Sequence, residues 1–349
     1  SRGLGDVYKR QLFARFGSLL MGLVLLYAAY QIGRDIFRTN RMLAFALPAA
    51  VVFHPQLAFL HGYSNCDSTS SALGALILLL AVRSVRVGLT VSTGLWIGLL
   101  MGWLALSKYS GLAVMPVVAL TLVASAVLNR TPIAKAVAAL GICGVAASAV
   151  SGWWLVRNYY EFGGDFMGTK TMYKTWATTF HRELDYHVPA SHIIKDIRWW
   201  RMMFFSFWGL FGYMTKYMWR PLYFVYLGYL IVAAVGLIKG AYIWSCAEFR
   251  NMTRDDAKSA TIWSCMLLTV LMNLAAMIWA STQNLGGPQG RYLFPSEIPV
   301  MALLLFGMSR FSDRSARVLV LSFIGFNAAV CLGSWFWLFQ MYGFHSRPL

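Results

Sequence analysis

Arg291 closes the glycine- and proline-rich stretch STQNLGGPQG and stands directly ahead of an apolar run, with Gln289 and Tyr292 beside it. Free backbone amides at a helix start attract anions, and a guanidinium matches phosphate with two parallel hydrogen bonds. A residue that merely anchors the chain at a membrane edge needs no glycines around it. Gly286, Gly287 and Gly290 therefore favour the anion-binding reading of Arg291, and Pro295 predicts a kink in the run that follows. Lys108, in LALSKYSG, is the second cation between apolar stretches. It either meets lipid headgroups or points a compact charge inward at a phosphate. Arg157 and Asn158 follow the apolar part of SGWWLVRNYY, where the same two readings apply. Asn65 and Asp67 lie in HGYSNCDST. There Asp67 or Ser68 caps the next helix, or the Asp67 carboxylate serves a sugar hydroxyl or a cation. His54, Pro55 and Gln56 sit inside an apolar segment that ends at His61. Arg201 belongs to a basic and aromatic stretch with Lys195, Arg198, Lys216 and Arg220.

The elements that must position these groups are membrane helices. Of the 349 residues 58% are apolar and only 12% are charged, against about 25% charged in a soluble domain. Long apolar runs recur throughout, so the expected class is all-α, a polytopic transmembrane helical bundle. About ten spans are expected, near 12–31, 42–60, 69–86, 91–106, 110–128, 134–156, 221–239, 262–281, 291–308 and 316–340. The formal charge of +17 would suggest nucleic acid in a soluble chain. Here it lies mostly in short links and reads as topology signal and contact with membrane lipids, so no nucleic-acid partner is expected. The five cysteines form no CxxC pair, and neither a disulfide framework nor a metal site is expected from them. No cofactor is expected either, and nothing in the residue pattern argues for a divalent metal.

One set of links carries Arg34, Arg38, Arg41, Arg83, Arg86, Arg130, Lys135, Lys239, Arg250, Arg254, Lys258, Arg310, Arg314 and Arg317. The positive-inside rule assigns that set to the cytoplasm. The other links, which hold all the candidate site residues, then face outward, away from cytoplasmic nucleotides. The chain divides into 1–11, expected to be a non-native, adapter-derived start; an N-terminal bundle, 12–156; an external amphipathic and re-entrant loop, 157–220; a C-terminal bundle, 221–340; and a tail, 341–349. Within the loop, 191–205 is expected to form an amphipathic helix on the membrane. The apolar SFWGLFG is expected to dip back against the bundle.

Five stretches in order, HPQLAFLHGYSNCDS, ALSKYSGLAVMP, RNYYEFGGDFMG, SFWGLFGYM and QGRYLFPSEIP, resemble the bacterial membrane proteins grouped as domain of unknown function 2142. That family resembles GT-C glycosyltransferases. The resemblance runs from about residue 12 to 340. It implies a multi-span enzyme of the bacterial inner membrane. Such an enzyme takes a lipid-linked, polyprenyl-phosphate sugar donor and passes the sugar to a cell-envelope glycan or lipid acceptor on the external face. It also implies an acidic catalytic residue in the loop after the family's first span, which by family order precedes residue 12. No catalytic residue is therefore assigned within this chain. Asp67 corresponds to the family's next acidic position, although Cys66 separates it from Asn65. Some GT-C enzymes use a divalent metal. Two other classes take the same lipid-linked sugars: a transporter or flippase, and a polysaccharide polymerase or ligase. A structural membrane protein accounts for the aromatic belts but not for the external cations.

Overall fold

The computed structural model of the protein describes residues 2–181, 187–212, 214–247, 253–283 and 287–341, with backbone alone for 2–12 and 244–247. The expectations on Gly286, Arg250 and the tail past 341 lie outside the described residues. The chain is an all-α helical bundle: α1 (Arg2–Ile36), α2 (Arg41–Val52), α3 (Pro55–His61), α4 (Cys66–Val87), α5 (Val91–Ser107), α6 (Met115–Leu128), α7 (Ile133–Glu161), α8 (Thr169–Thr179), α9 (Ala190–Lys195), α10 (Ile197–Trp208), α11 (Arg220–Ala247), α12 (Arg254–Thr282), α13 (Glu297–Met308) and α14 (Asp313–Met341). Two 3-10 segments, Tyr109–Val114 and Gly290–Ser296, lead into α6 and α13. The only strands among the described residues form a two-residue antiparallel ladder, β1 (Leu210–Phe211) with β2 (Lys216–Tyr217).

The count of about ten spans is corrected. Among the described residues, seven helices are long and apolar enough to cross a membrane, or eight if the bent pair α2 and α3 is one span. The pair bends by 59° at Phe53–His54. Pro55 is the cause: it disfavours helical backbone at the residue before it, and His54 is extended, with ψ 114°. The expected span 291–308 begins as a 3-10 segment around Pro295, which leaves α13 with 12 regular residues. At 1.5 Å per residue that is about 18 Å, short of a hydrocarbon core of about 30 Å. The 17 residues of α5 also fall short of the length of a span.

The bundle is apolar on its outside as well as within. Trp96, Trp103, Leu120, Val127, Ile231, Leu321 and Phe336 are all exposed, which is tolerable only where lipid replaces water. Lipid tails offer no hydrophobic incentive for helices to pair, so close packing must hold them. Gly94, Gly98 and Gly102 form one face of α5. A Cβ on Gly98 would lie 2.2 Å from the Cys143 carbonyl oxygen of α7, and one on Gly94 2.1 Å from that of Ala139. Gly236 and Gly307 let α11 and α13 meet in the same way, with a Gly236 Cβ falling 1.9 Å from the Gly307 oxygen.

Two charge layers mark the ends of the bundle. At one end Arg83 of α4 bonds Asp35 and Gln31 of α1, and Arg86 bonds Ser259 of α12. At the other end lie the links that carry the candidate site.

The α5–α7 contact gives a test. Gly98→Val is expected to destabilise the bundle by at least about 1–3 kcal/mol, because backbone stands where the side chain would go. Gly144→Val, whose Cβ would meet nothing within 4 Å, serves as the control. Thermal melts in detergent in which the two variants unfold alike would refute the packing argument.

Candidate functional site

The site grows from the start of α4. Asn65 caps that helix, correcting the assignment of the cap to Asp67 or Ser68. Its Oδ1 accepts from the Ser68 amide at 2.9 Å and from the Ser68 hydroxyl at 3.3 Å. Its Nδ2 donates to the carbonyls of Leu60 and Tyr63 at 2.6 and 2.8 Å. Both ends of the Asn65 amide are thus occupied in turning the chain from α3 into α4. Asp67, two residues on, lies in the first turn, where the helix dipole favours a carboxylate. The cap leaves the Asp67 side chain available for long-range partners.

Those partners come from two breaks in the helices. Lys108 ends α5 and precedes a 3-10 segment, with an extended backbone (φ −164°, ψ 123°) that turns it out of the helical run. Its Nζ donates to Asp67 Oδ1. Arg291 sits in the first turn of the 3-10 segment Gly290–Ser296, its Nη1 3.9 Å from Asp67 Oδ2. The Tyr292 ring lies within cation–π distance of both, 4.6 Å from Lys108 Nζ and 5.6 Å from the Arg291 guanidinium. Tyr63 borders the same group. Burial pushes its phenol above the ordinary tyrosine value, opposed by the Arg291 charge, so it keeps its proton and can donate.

The electrostatics follow from a count. One carboxylate faces two cations, which leaves one positive charge over. Exposure is graded: the Asp67 side chain is 7% exposed, Lys108 19% and Arg291 39%. Within the cluster, Arg291 Nε is buried without a hydrogen-bond partner. The arrangement is therefore a cationic mouth with a spare guanidinium donor, the chemistry that suits a phosphate or a sugar phosphate.

The structure brings together Asn65, Asp67, Lys108, Arg291 and Tyr292 from the expected set. Gln289 is the residue before the 3-10 segment and accepts the Tyr292 amide through its carbonyl. Asn158 is buried on α7 and reaches the Tyr109 hydroxyl at 3.4 Å and the Phe166 carbonyl at 3.1 Å. It thus supports the residue next to Lys108. Arg157 turns elsewhere, bonding Glu161 at 2.6 Å and lying 4.9 Å from the Trp154 ring. Arg201 is exposed on α10. The helix expected over 191–205 is divided at Asp196, which ends α9 and caps α10 by accepting from the Arg198 amide. Residues 206–211 are buried against the bundle, as expected of SFWGLFG.

Glu297 was missed. It is fully buried, and its Oε1 lies 2.7 Å from Nδ1 of His54, itself fully buried. His54 Nε2 lies 2.8 Å from the Phe207 carbonyl oxygen. A signal was present: an acidic residue inside the apolar run that follows Arg291 must find a partner within the bundle. Among the described residues no group of three or more His, Cys, Asp or Glu side chains is placed to hold a metal ion. A groove of about 600 Å³ between α11 and α14, lined by Trp219, Leu222, Val330 and Trp337, shares no residue with the charged cluster.

A family model described as dolichyl-phosphate-mannose-protein mannosyltransferase matches residues 7–154. That match supports a membrane-embedded, GT-C-like glycosyltransferase domain over α1 to most of α7, a span that holds Asp67 and Lys108. It does not single out the narrower domain of unknown function 2142 family. No curated protein and no solved structure shows a significant match to the chain.

The role of Asn65 can be tested apart from ligand. Asn65→Ala is expected to lose about 1 kcal/mol of stability as an uncapped helix does, with Asn65→Ser recovering part of it. An Asn65→Ala protein that melts like wild type in detergent would return Asn65 to the list of ligand-binding candidates.

Proposed function

We propose that the chain is a glycosyltransferase of the bacterial inner membrane. In this reading it moves a sugar from a polyprenyl-phosphate donor to a cell-envelope glycan or lipid on the external face. The observation that carries the proposal is the Asp67–Lys108–Arg291 cluster, in which two cations share one carboxylate. The match to a mannosyltransferase family and the resemblance to domain of unknown function 2142 proteins point the same way.

In this proposal Arg291 and Lys108 hold the donor phosphate. When the glycosidic C–O bond breaks, the leaving phosphate gains negative charge. Preorganised cations at a partly desolvated mouth stabilise that charge better than water does. Asp67 balances the two cations before donor arrives and fixes their geometry. The acceptor hydroxyl needs a base. Asp67, bonded to Lys108, is assigned to charge balance rather than to that task. Tyr63 and Tyr292 are assigned to the sugar, as a hydroxyl donor and a flat apolar face. The flippase reading draws on the 59° break between α2 and α3, since discontinuous helices recur in transporters.

The test is sugar transfer from a polyprenyl-phosphate donor, measured on the protein and its variants at matched expression. Arg291→Ala is expected to lose about 2–5 kcal/mol of donor interaction. Arg291→Lys should recover only part, because lysine keeps the charge and loses the planar fork. Equal turnover by wild type and both variants would make Arg291 an anchor. Donor that crosses the bilayer without being consumed would favour the flippase.

A further inference from the structure

The His54–Glu297 pair is not part of the cationic mouth, yet it lies where three interruptions of the helices meet. His54 stands at the break between α2 and α3. Phe207, whose carbonyl it binds, is next to last in α10. Glu297 is the residue at which the 3-10 segment bearing Arg291 becomes α13.

The end of α10 is tied to that same segment a second time. The Gly290 amide donates to Ser206 Oγ at 2.7 Å. A Cβ on Gly290 would fall 2.1 Å from the Phe207 nitrogen, so the two backbones are in direct contact. Beyond α10 the Leu210 amide donates to Gln56 Oε1 at 2.7 Å, two residues from His54. The Arg291 segment is therefore held at both ends by the external loop: at Gly290 through Ser206, and at Glu297 through His54 and Phe207.

We infer that His54 and Glu297 are positioning residues for Arg291, clamping the loop and the 3-10 segment into one unit so that the guanidinium faces Asp67. This rests on the proposed phosphate site. The hydrogen bonds dictate the protons. The Phe207 oxygen can only accept, so His54 Nε2 carries a hydrogen. Nδ1 then either donates to an ionised Glu297 or accepts from a protonated one. In both forms the pair is net neutral, as a fully buried unit should be. Position, not proton transfer, is the role assigned to it.

The chemistry makes the assignment separable from general stability. In Glu297→Gln the new amide nitrogen donates to His54 Nδ1, and Nε2 still donates to Phe207, so the clamp survives. In Glu297→Leu the ring nitrogen has no partner. The full chain in detergent is to be followed by amide hydrogen exchange, and by binding of a short-chain polyprenyl monophosphate with inorganic phosphate as a second probe. Glu297→Leu is expected to speed exchange in 204–212 and 287–296 together while α4 stays protected. It should also weaken polyprenyl monophosphate binding about tenfold or more, the scale of loss that misplaced binding groups cause. Glu297→Gln should match wild type in both measurements. Three results would each overturn the inference: exchange that rises evenly over the whole bundle, a 287–296 segment that stays protected in Glu297→Leu, or a Glu297→Gln protein as impaired as Glu297→Leu. If wild type binds neither probe, the phosphate site fails. The exchange comparison still decides whether the clamp exists.

Discussion

A carboxylate taken out of water must find positive charge or hydrogen bonds, and Asp67 is such a carboxylate in a bundle with few charges to offer. Much of the local architecture follows from meeting that demand. Asn65 takes over the capping of α4, so Asp67 need not satisfy its own helix. Lys108 and Arg291 reach Asp67 because the chain stops being α-helical at both positions and continues as short 3-10 segments. Had α5 and α6 been one straight helix, Lys108 would have stood at the middle of an apolar rod.

Breaking helices inside an apolar bundle exposes backbone groups, and lipid satisfies none of them. Side chains do so here. Gln56 accepts the Leu210 amide, and the Tyr223 hydroxyl accepts from the Met218 amide while donating to the Gly209 carbonyl. Asn327 joins the Tyr226 hydroxyl to the Ala50 carbonyl near the end of α2. Asn273 donates to Ser296 Oγ, which in turn donates to the Thr269 carbonyl at the entrance to α13. Several buried polar side chains thus serve the interruptions, some standing at them and others, such as Asn273, reaching them from mid-helix, and the interruptions carry the candidate site.

The class of fold was legible because long apolar runs admit few other structures. The span count was less so, because composition registers an apolar run but not whether it is one rod. Pro55 and Pro295 turned two expected spans into bent or shortened ones. Among the cations, Arg291 stood out by its flanking glycines, whereas Lys108, Arg157 and Arg201 each read only as a cation beside apolar residues. What separates them is tertiary. Glu161, one turn along α7, takes Arg157, while Asp67 draws the other two members of its cluster from 41 and 224 positions away in sequence. The partner of His54 is 243 residues distant. No local spacing encodes such pairings. Only the general rule that a buried ionisable group needs a partner could have directed attention to Glu297.

The two charged assemblies obey one rule at different exposures. His54 and Glu297 are wholly buried, and their pairing is neutral in either protonation form. Asp67, Lys108 and Arg291 carry a surplus positive charge, and the surplus falls to Arg291, the most exposed of the three. An unmatched charge is tolerable only where water or an anion can reach it. The chain therefore keeps the net charge of this fully buried pair at zero and leaves its charge imbalance at the mouth. An anion entering there would complete a charge balance that the protein's own residues leave open, while the balanced pair behind it holds the segment on which Arg291 sits.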